Sequence, residues 1–151
     1  MNEPAGATDR VARGALGLPL LVATLVALAI ATYLAVVRLA GESPACGPVH
    51  GCETVSASEY ATLLGVLPVA FLGVVASAVI VACAALWWRR ADRRALLLAY
   101  ALLLLGTLFV AYLTYLELFV IHAVCAWCAA YAVATVTSLV LTGLALRRSS
   151  P

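Results

Sequence analysis

Residues 95–146 read ALLLAYALLLLGTLFVAYLTYLELFVIHAVCAWCAAYAVATVTSLVLTGLAL, and Glu117 is the only formally charged residue among them. A helix needs about 20 mostly apolar residues to cross a bilayer, so this run is too long for one span and suits two. The break falls at His122 and Ala123. The pattern predicts spans over 95–121 and 124–146 joined by a very short turn, with the Cys125–Cys128 pair opening the later one. Toward the N-terminus two more apolar segments qualify, over 15–39 and over 60–88. The second is interrupted by Gly65 and Pro68 and is long for one span. Either a short helix or a re-entrant piece therefore occupies 59–67, with the span proper starting near Pro68, since proline is well tolerated in a first helical turn.

Composition agrees. Of 151 residues, 66% are hydrophobic and 11% charged, where soluble proteins carry about a quarter charged; the mean hydropathy is +1.10. The expectation is an all-α integral membrane protein forming a single domain over 1–151. A net charge of +2 is too small to argue for a nucleic-acid partner.

Arginine sets the orientation. Arg10 and Arg13 precede the first span, Arg89, Arg90, Arg93 and Arg94 lie between the second and third, and Arg147 and Arg148 follow the fourth. With four spans these regions share one side, cytoplasmic by the positive-inside rule, and Trp87 and Trp88 mark its interface. The other side holds Glu42, Glu53 and Glu59, with only Arg38 at its border, and both cysteine pairs. The first apolar stretch is longer than a signal-peptide core, so it reads as a retained span. The tails, 1–11 and 147–151, read as flexible.

Four cysteines form two close pairs: Cys46 and Cys52 in CGPVHGC, Cys125 and Cys128 in CAWC. An oxidising compartment permits structural disulfides, and paired cysteines with His50 or His122 could hold zinc; the lipid-edged setting, poor in polar groups, argues against a metal. A redox reading has the stronger physical support. A helix N-terminus stabilises a thiolate through its free N–H groups and partial positive charge, and Cys-x-x-Cys thiols are commonly activated so. The i, i+3 spacing puts both sulfurs on one helix face. Gly47, Pro48 and Gly51 make the other pair's loop turn-rich, so a mobile loop is expected to present Cys46 to a soluble partner and swing Cys52 toward Cys125. Cys83, alone in the second span, behaves as a small hydrophobe.

Further candidates lie around the pairs. Tyr131 is three residues after Cys128 and on its face, where its hydroxyl either donates to a ligand oxygen or packs as an amphipathic ring. Tyr112 and Tyr115 share a face of the third span and could line a pocket. Glu117 either reaches water or, as an acid within a span, is functional. Ser58 suits the N-cap of a helix beginning near Glu59. His50 and His122 are candidates for proton transfer or plain loop histidines.

The loop pair CGPVHGC, the following ETVSASEYATLLGVLPVAFLG and the late AYLTYLELFVIHAVCAWCAAYA resemble the vitamin K epoxide reductase family, in its bacterial disulfide-forming branch. The resemblance spans roughly 15–146. The order, loop pair first and CxxC last, argues against the unrelated DsbB family. It implies a four-helix bundle around a quinone of the menaquinone (vitamin K) or ubiquinone type, capped by the outer loop and a short horizontal helix. It implies that Cys128 reduces the quinone, Cys125 exchanges with Cys52, and Cys46 closes the loop disulfide or meets the partner. Tyr131, Tyr112, Tyr115 and Ser58 are the candidate quinone-side residues, Ser58 with a part in orienting the cysteines. The implied function is a thiol:quinone oxidoreductase that reoxidises a thioredoxin-fold, DsbA-like protein outside a bacterial plasma membrane. No thioredoxin-like domain is fused here, so the partner is expected to be separate. The vertebrate enzymes' Asn near the start of the second span has no counterpart, the only Asn being Asn2. Epoxide reduction proper is therefore the alternative activity, and a scaffold with structural disulfides the alternative class.

Overall fold

A computed structural model of the chain describes residues 5–46, 51–63 and 67–149. Gly47, Pro48 and His50 between the loop cysteines, and Gly65, lie outside the described residues. Among the described residues are five α-helices: α1 Ala5–Leu39, α2 Gly51–Ala57, α3 Val69–Arg90, α4 Arg93–Leu116 and α5 Ala126–Arg148. Four segments are long and apolar enough to cross a membrane: α1, α3, α5, and α4 with the turn that continues it. The all-α membrane architecture is as expected.

Some boundaries differ from the sequence reading. The second span proper starts at Val69, beside Pro68 as expected, with Pro68 as its extended N-cap residue, so the apolar run from Tyr60 is not all span. Proline has no N–H to lose, so it suits the boundary. Before it come a 3₁₀ turn, Glu59–Ala61, and a two-residue antiparallel ladder, β1 Thr62–Leu63 with β2 Leu67–Pro68. The short helix is α2, which carries Cys52, rather than one starting near Glu59. Within the described residues, α1 begins at Ala5, and α5 runs to Arg148 with two arginines in its last turn, where cations complement the helix dipole.

α1 and α4 each pack against both α3 and α5, which closes a four-helix bundle. Lipid is as apolar as leucine, so close backbone approach at small residues drives such packing. The buried stripes are accordingly small: Ala27, Ala31 and Ala35 on α1, and Ala134, Ser138, Thr142 and Ala145 on α5. Ser138 and Thr142 satisfy their hydroxyls on carbonyls one turn back, at 2.8 and 2.7 Å. Leu105, Leu108 and Val133 face outward, toward lipid. Cys83 packs with Ala95 and Ala99 as a small apolar group.

The arginine end of the bundle is solid. Leu16, Leu20, Trp87, Leu96 and Ala145 form its core, and the Trp88 ring lies so close over Gly17 that a Cβ there would collide with it. Ala91 turns the α3–α4 corner in the left-handed region (φ 56°), and Asp92 caps α4 by accepting the Arg94 N–H at 2.9 Å. The opposite end is hollow, and α2 lies beside that hollow.

Candidate functional site

The site begins where α4 ends. Glu117–Ile121 widens into a π-helical turn, an irregularity frequent at functional sites. His122 closes it in the left-handed region (φ 56°), and its N–H and that of Ala123 both reach the Glu117 carbonyl. The Glu117 side chain points inward and is only 6% exposed, so it does not simply reach water. Its Oε2 accepts the Cys125 N–H at 3.3 Å. Cys125 is the N-cap of α5, its Sγ accepting the Cys128 N–H at 3.3 Å. A sulfur thus fills the role that a Ser or Asp oxygen has in an ordinary cap.

The loop pair meets this helix end directly. Cys46 and Cys52 form a disulfide with a Cα–Cα distance of 6.0 Å. Cys52 sits in the first turn of α2 and is fully buried. Gly51, just before it, abuts the Val124 backbone, leaving no room for a Cβ. The sulfurs of Cys46, Cys52 and Cys125 all lie within 4.8 Å of one another. The disulfide of the loop pair thus rests beside the Cys125 thiol. Two of these sulfurs are bonded to each other, so with the disulfide closed only Cys125 of the three is a free thiol.

Behind the sulfurs lies a cavity of about 490 Å³, within the range of small-molecule sites. Its wall is chiefly aliphatic, with Phe109 and Leu113 among the lining; Cys128, Glu117, Tyr131, Tyr60 and Ser58 supply polar atoms. Tyr131 and Ser77 share a hydrogen bond at 3.1 Å. Ser77 was not singled out from sequence; its one signal was a hydroxyl inside an apolar helix. Tyr112 and Tyr115 point away from the cavity, 54% and 56% exposed, and Tyr115 packs on Phe119 with ring centroids 4.9 Å apart. The i, i+3 spacing put them on one face, but that face is the outer one. Ser58 lines the cavity without capping: its Oγ donates to the Val55 carbonyl at 2.7 Å. Arg38 ties α1 to the end of α2 by donating to the Ser56 carbonyl. His122 is exposed, its Nδ1 3.2 Å from the Val120 carbonyl.

The Cys125 thiol is lowered to about 7. The largest cause is the hydrogen bond from the Cys128 side chain; backbone N–H groups of Cys128 and Trp127 add to it, while burial and the Glu117 charge oppose it. Cys125 is thus the sulfur prepared to be a thiolate.

A membrane bundle holding a disulfide, an activated thiol against it and an apolar cavity behind defines a class: membrane proteins that exchange thiols and disulfides. The model of the vitamin K epoxide reductase family matches residues 18–143, and the chain belongs to that family. No curated protein matches the chain. Membership implies membrane thiol and quinone redox chemistry. The cavity fits a quinone in its size, its apolar wall and its few convergent hydroxyl, thiol and carboxyl groups.

Proposed function

We propose that this protein is a thiol:quinone oxidoreductase of the disulfide-forming branch, which reoxidises a soluble thioredoxin-fold, DsbA-like partner outside a bacterial plasma membrane. The observation that carries this reading is the mutual approach of the Cys46, Cys52 and Cys125 sulfurs within 4.8 Å, beside a cavity whose wall includes Cys128. Exchange requires a thiolate to attack a disulfide sulfur and is faster the lower the leaving thiol's value; Cys125, the lowered thiol of the pair, is the good leaving group when Cys46 resolves a Cys52–Cys125 mixed disulfide. The partner's dithiol reduces Cys46–Cys52. The loop dithiol then passes two electrons and two protons to the Cys125–Cys128 disulfide by exchange. Bound in the cavity against Cys128, with Tyr131 and Ser58 as polar contacts, a quinone would supply the terminal two-electron acceptor. The eight arginines at the end remote from the cysteines support a cytoplasmic position for both termini and an outer position for the sulfurs.

Thiol trapping tests the reading. Purified wild type and Cys128→Ala are mixed with reduced thioredoxin-fold protein and a quinone. Quinone reduction that requires Cys128, with reduced loop thiols or a mixed disulfide accumulating in the variant, supports the relay. Untouched quinone, with the loop disulfide persisting in wild type, would make the disulfide structural.

A further inference from the structure

The relay leaves one buried ionisable group without a task. Glu117 is 6% exposed and lies on the cavity wall with Cys128. It sits beside the terminal pair: its Oε2 accepts the Cys125 N–H at 3.3 Å, and the Cys125 sulfur in turn accepts the Cys128 N–H at 3.3 Å. A carboxylate carried into a bilayer is costly and is kept where it has a partner or a function. If Glu117 served only to hold the Cys125 N–H, a neutral amide would do so without that cost.

The two sulfurs pose opposite problems. Cys125 is already the thiolate-prone member, stabilised by the Cys128 thiol. Cys128, the cavity-lining sulfur of the relay, carries its own proton in the dithiol. It cannot release electrons as a thiolate until that proton has an acceptor. The other titratable side chains on the cavity are Arg38 and Glu42 at the end of α1, Tyr60 before α3 and Tyr131 on α5. Arg38 is engaged with Ser56, and the hydroxyl of Tyr131 with Ser77. None is a carboxylate hydrogen-bonded to the terminal pair.

We infer that Glu117 is a catalytic proton acceptor for Cys128, taking the S–H proton as that sulfur becomes the thiolate of the terminal couple. The step balances as written: the S–H bond breaks, an O–H bond forms on the carboxyl, and Cys128 gains the negative charge that Glu117 loses. When the pair closes, one S–S bond forms and two electrons leave to a quinone. The proton on Glu117 and that of Cys125 are the two that a quinol needs. The inference rests on the Cys125–Cys128 pair being the terminal couple.

The test compares wild type with Glu117→Gln and Glu117→Asp in full-length protein in lipid nanodiscs. Glutamine keeps the acceptor for the Cys125 N–H but accepts no proton. In Glu117→Gln, quinone turnover should fall about 10²- to 10⁴-fold, the range of lost acid–base catalysis, with KM for quinone unchanged. Alkylation of Cys128 at neutral pH, resolved by peptide mass spectrometry on the quinone-free dithiol, should fall several-fold, because the thiol has lost its proton acceptor. Glu117→Asp should keep the wild-type alkylation profile. Wild-type alkylation of Cys128 in Glu117→Gln, or wild-type turnover, overturns the inference. A variant that fails to fold does not end the test. Redox-difference infrared spectra of wild type, with diamide as oxidant, should show a carboxyl protonation change on oxidising the pair, and a silent carboxyl region overturns it. Slower alkylation in Glu117→Gln with no quinone reduction by wild type would instead sink the relay while leaving the Glu117–Cys128 coupling in place.

Discussion

The indole Nε1 of Trp127 donates to the Ala45 carbonyl across 2.8 Å, so a residue between the helix cysteines holds the residue immediately before Cys46. Tyr33 completes the grip: its hydroxyl accepts the Ala45 N–H at 3.2 Å, and its ring meets Trp127 with centroids 4.7 Å apart. Both backbone groups of Ala45 are thus fixed by side chains of α1 and α5. Trp127→Phe keeps an aromatic ring but removes the donor. One hydrogen bond contributes about 1 kcal/mol net, so exchange between the loop and helix pairs should slow roughly fivefold. Acid-quenched mass spectrometry of the two disulfide isomers reads that rate. An unchanged rate would mean that Ala45 is placed by the rest of the loop.

The lowered Cys125 thiol sets a pH dependence. A thiol with a depressed value ionises earlier as pH rises, so its alkylation, and its attack on Cys46–Cys52 when the relay is run in reverse, should climb through pH about 7 and level off above it. Removing the main stabiliser in Cys128→Ala should move the titration up toward the ordinary thiol value of about 8.5. At pH 7 the thiolate fraction, and with it the alkylation rate of Cys125, should then drop roughly tenfold or more. Cys128→Ser, which retains a donor, should fall between. A Cys128→Ala profile still centred near pH 7 would assign the effect to the helix end alone.

The spans and both cysteine pairs were legible because they depend on run length and spacing. The apolar runs located α1, α3, α4 and α5, and the placement of CAWC after a break anticipated a helix N-terminus. What stayed hidden depends on which face looks inward. In a membrane bundle the outward face is as apolar as the packed one, so Tyr112 and Tyr115 could be assigned to a common face but not to the right one. Glu117 points inward because the π-helical turn resets the helix register after Leu116, and no periodicity announces that turn. Ser58 does stand at the N-cap position of the 3₁₀ turn Glu59–Ala61, but its side chain makes no cap bond there and its hydroxyl bonds backward to Val55.

Gly51 makes its own prediction. In sequence it read as a turn residue; in the structure it begins α2 and lies against the Val124 backbone, so that a Cβ would overlap the Val124 carbonyl. Backbone cannot rotate aside as a long side chain can, so α2 would have to lift away from the start of α5. Overpacking of this kind costs about 1–3 kcal/mol. Gly51→Ala should lower the thermal unfolding temperature. It should also reduce the yield of a trapped Cys52–Cys125 mixed disulfide in a Cys46→Ala, Cys128→Ala background. Full stability with full trapping would show that α2 has slack against α5.

Tyr131 and Ser77 test whether the cavity recognises its ligand through a held hydroxyl. Ser77 is nearly wholly buried on α3, and its one polar contact across the bundle is the Tyr131 hydroxyl at 3.1 Å. That bond fixes the direction of a hydroxyl on the cavity wall, one helical turn from Cys128. Tyr131→Phe removes the hydroxyl and should weaken quinone binding by about 1 kcal/mol, roughly fivefold in KM. Ser77→Ala leaves the hydroxyl in place but unanchored, so its effect should be in the same direction and smaller. Because the two residues act through one bond, the double variant should bind no worse than Tyr131→Phe alone, the non-additivity expected of contacting residues. Quinone titrations of the four proteins complete the cycle. Strictly additive losses would mean that Ser77 serves α3 packing and that Tyr131 meets the quinone without it.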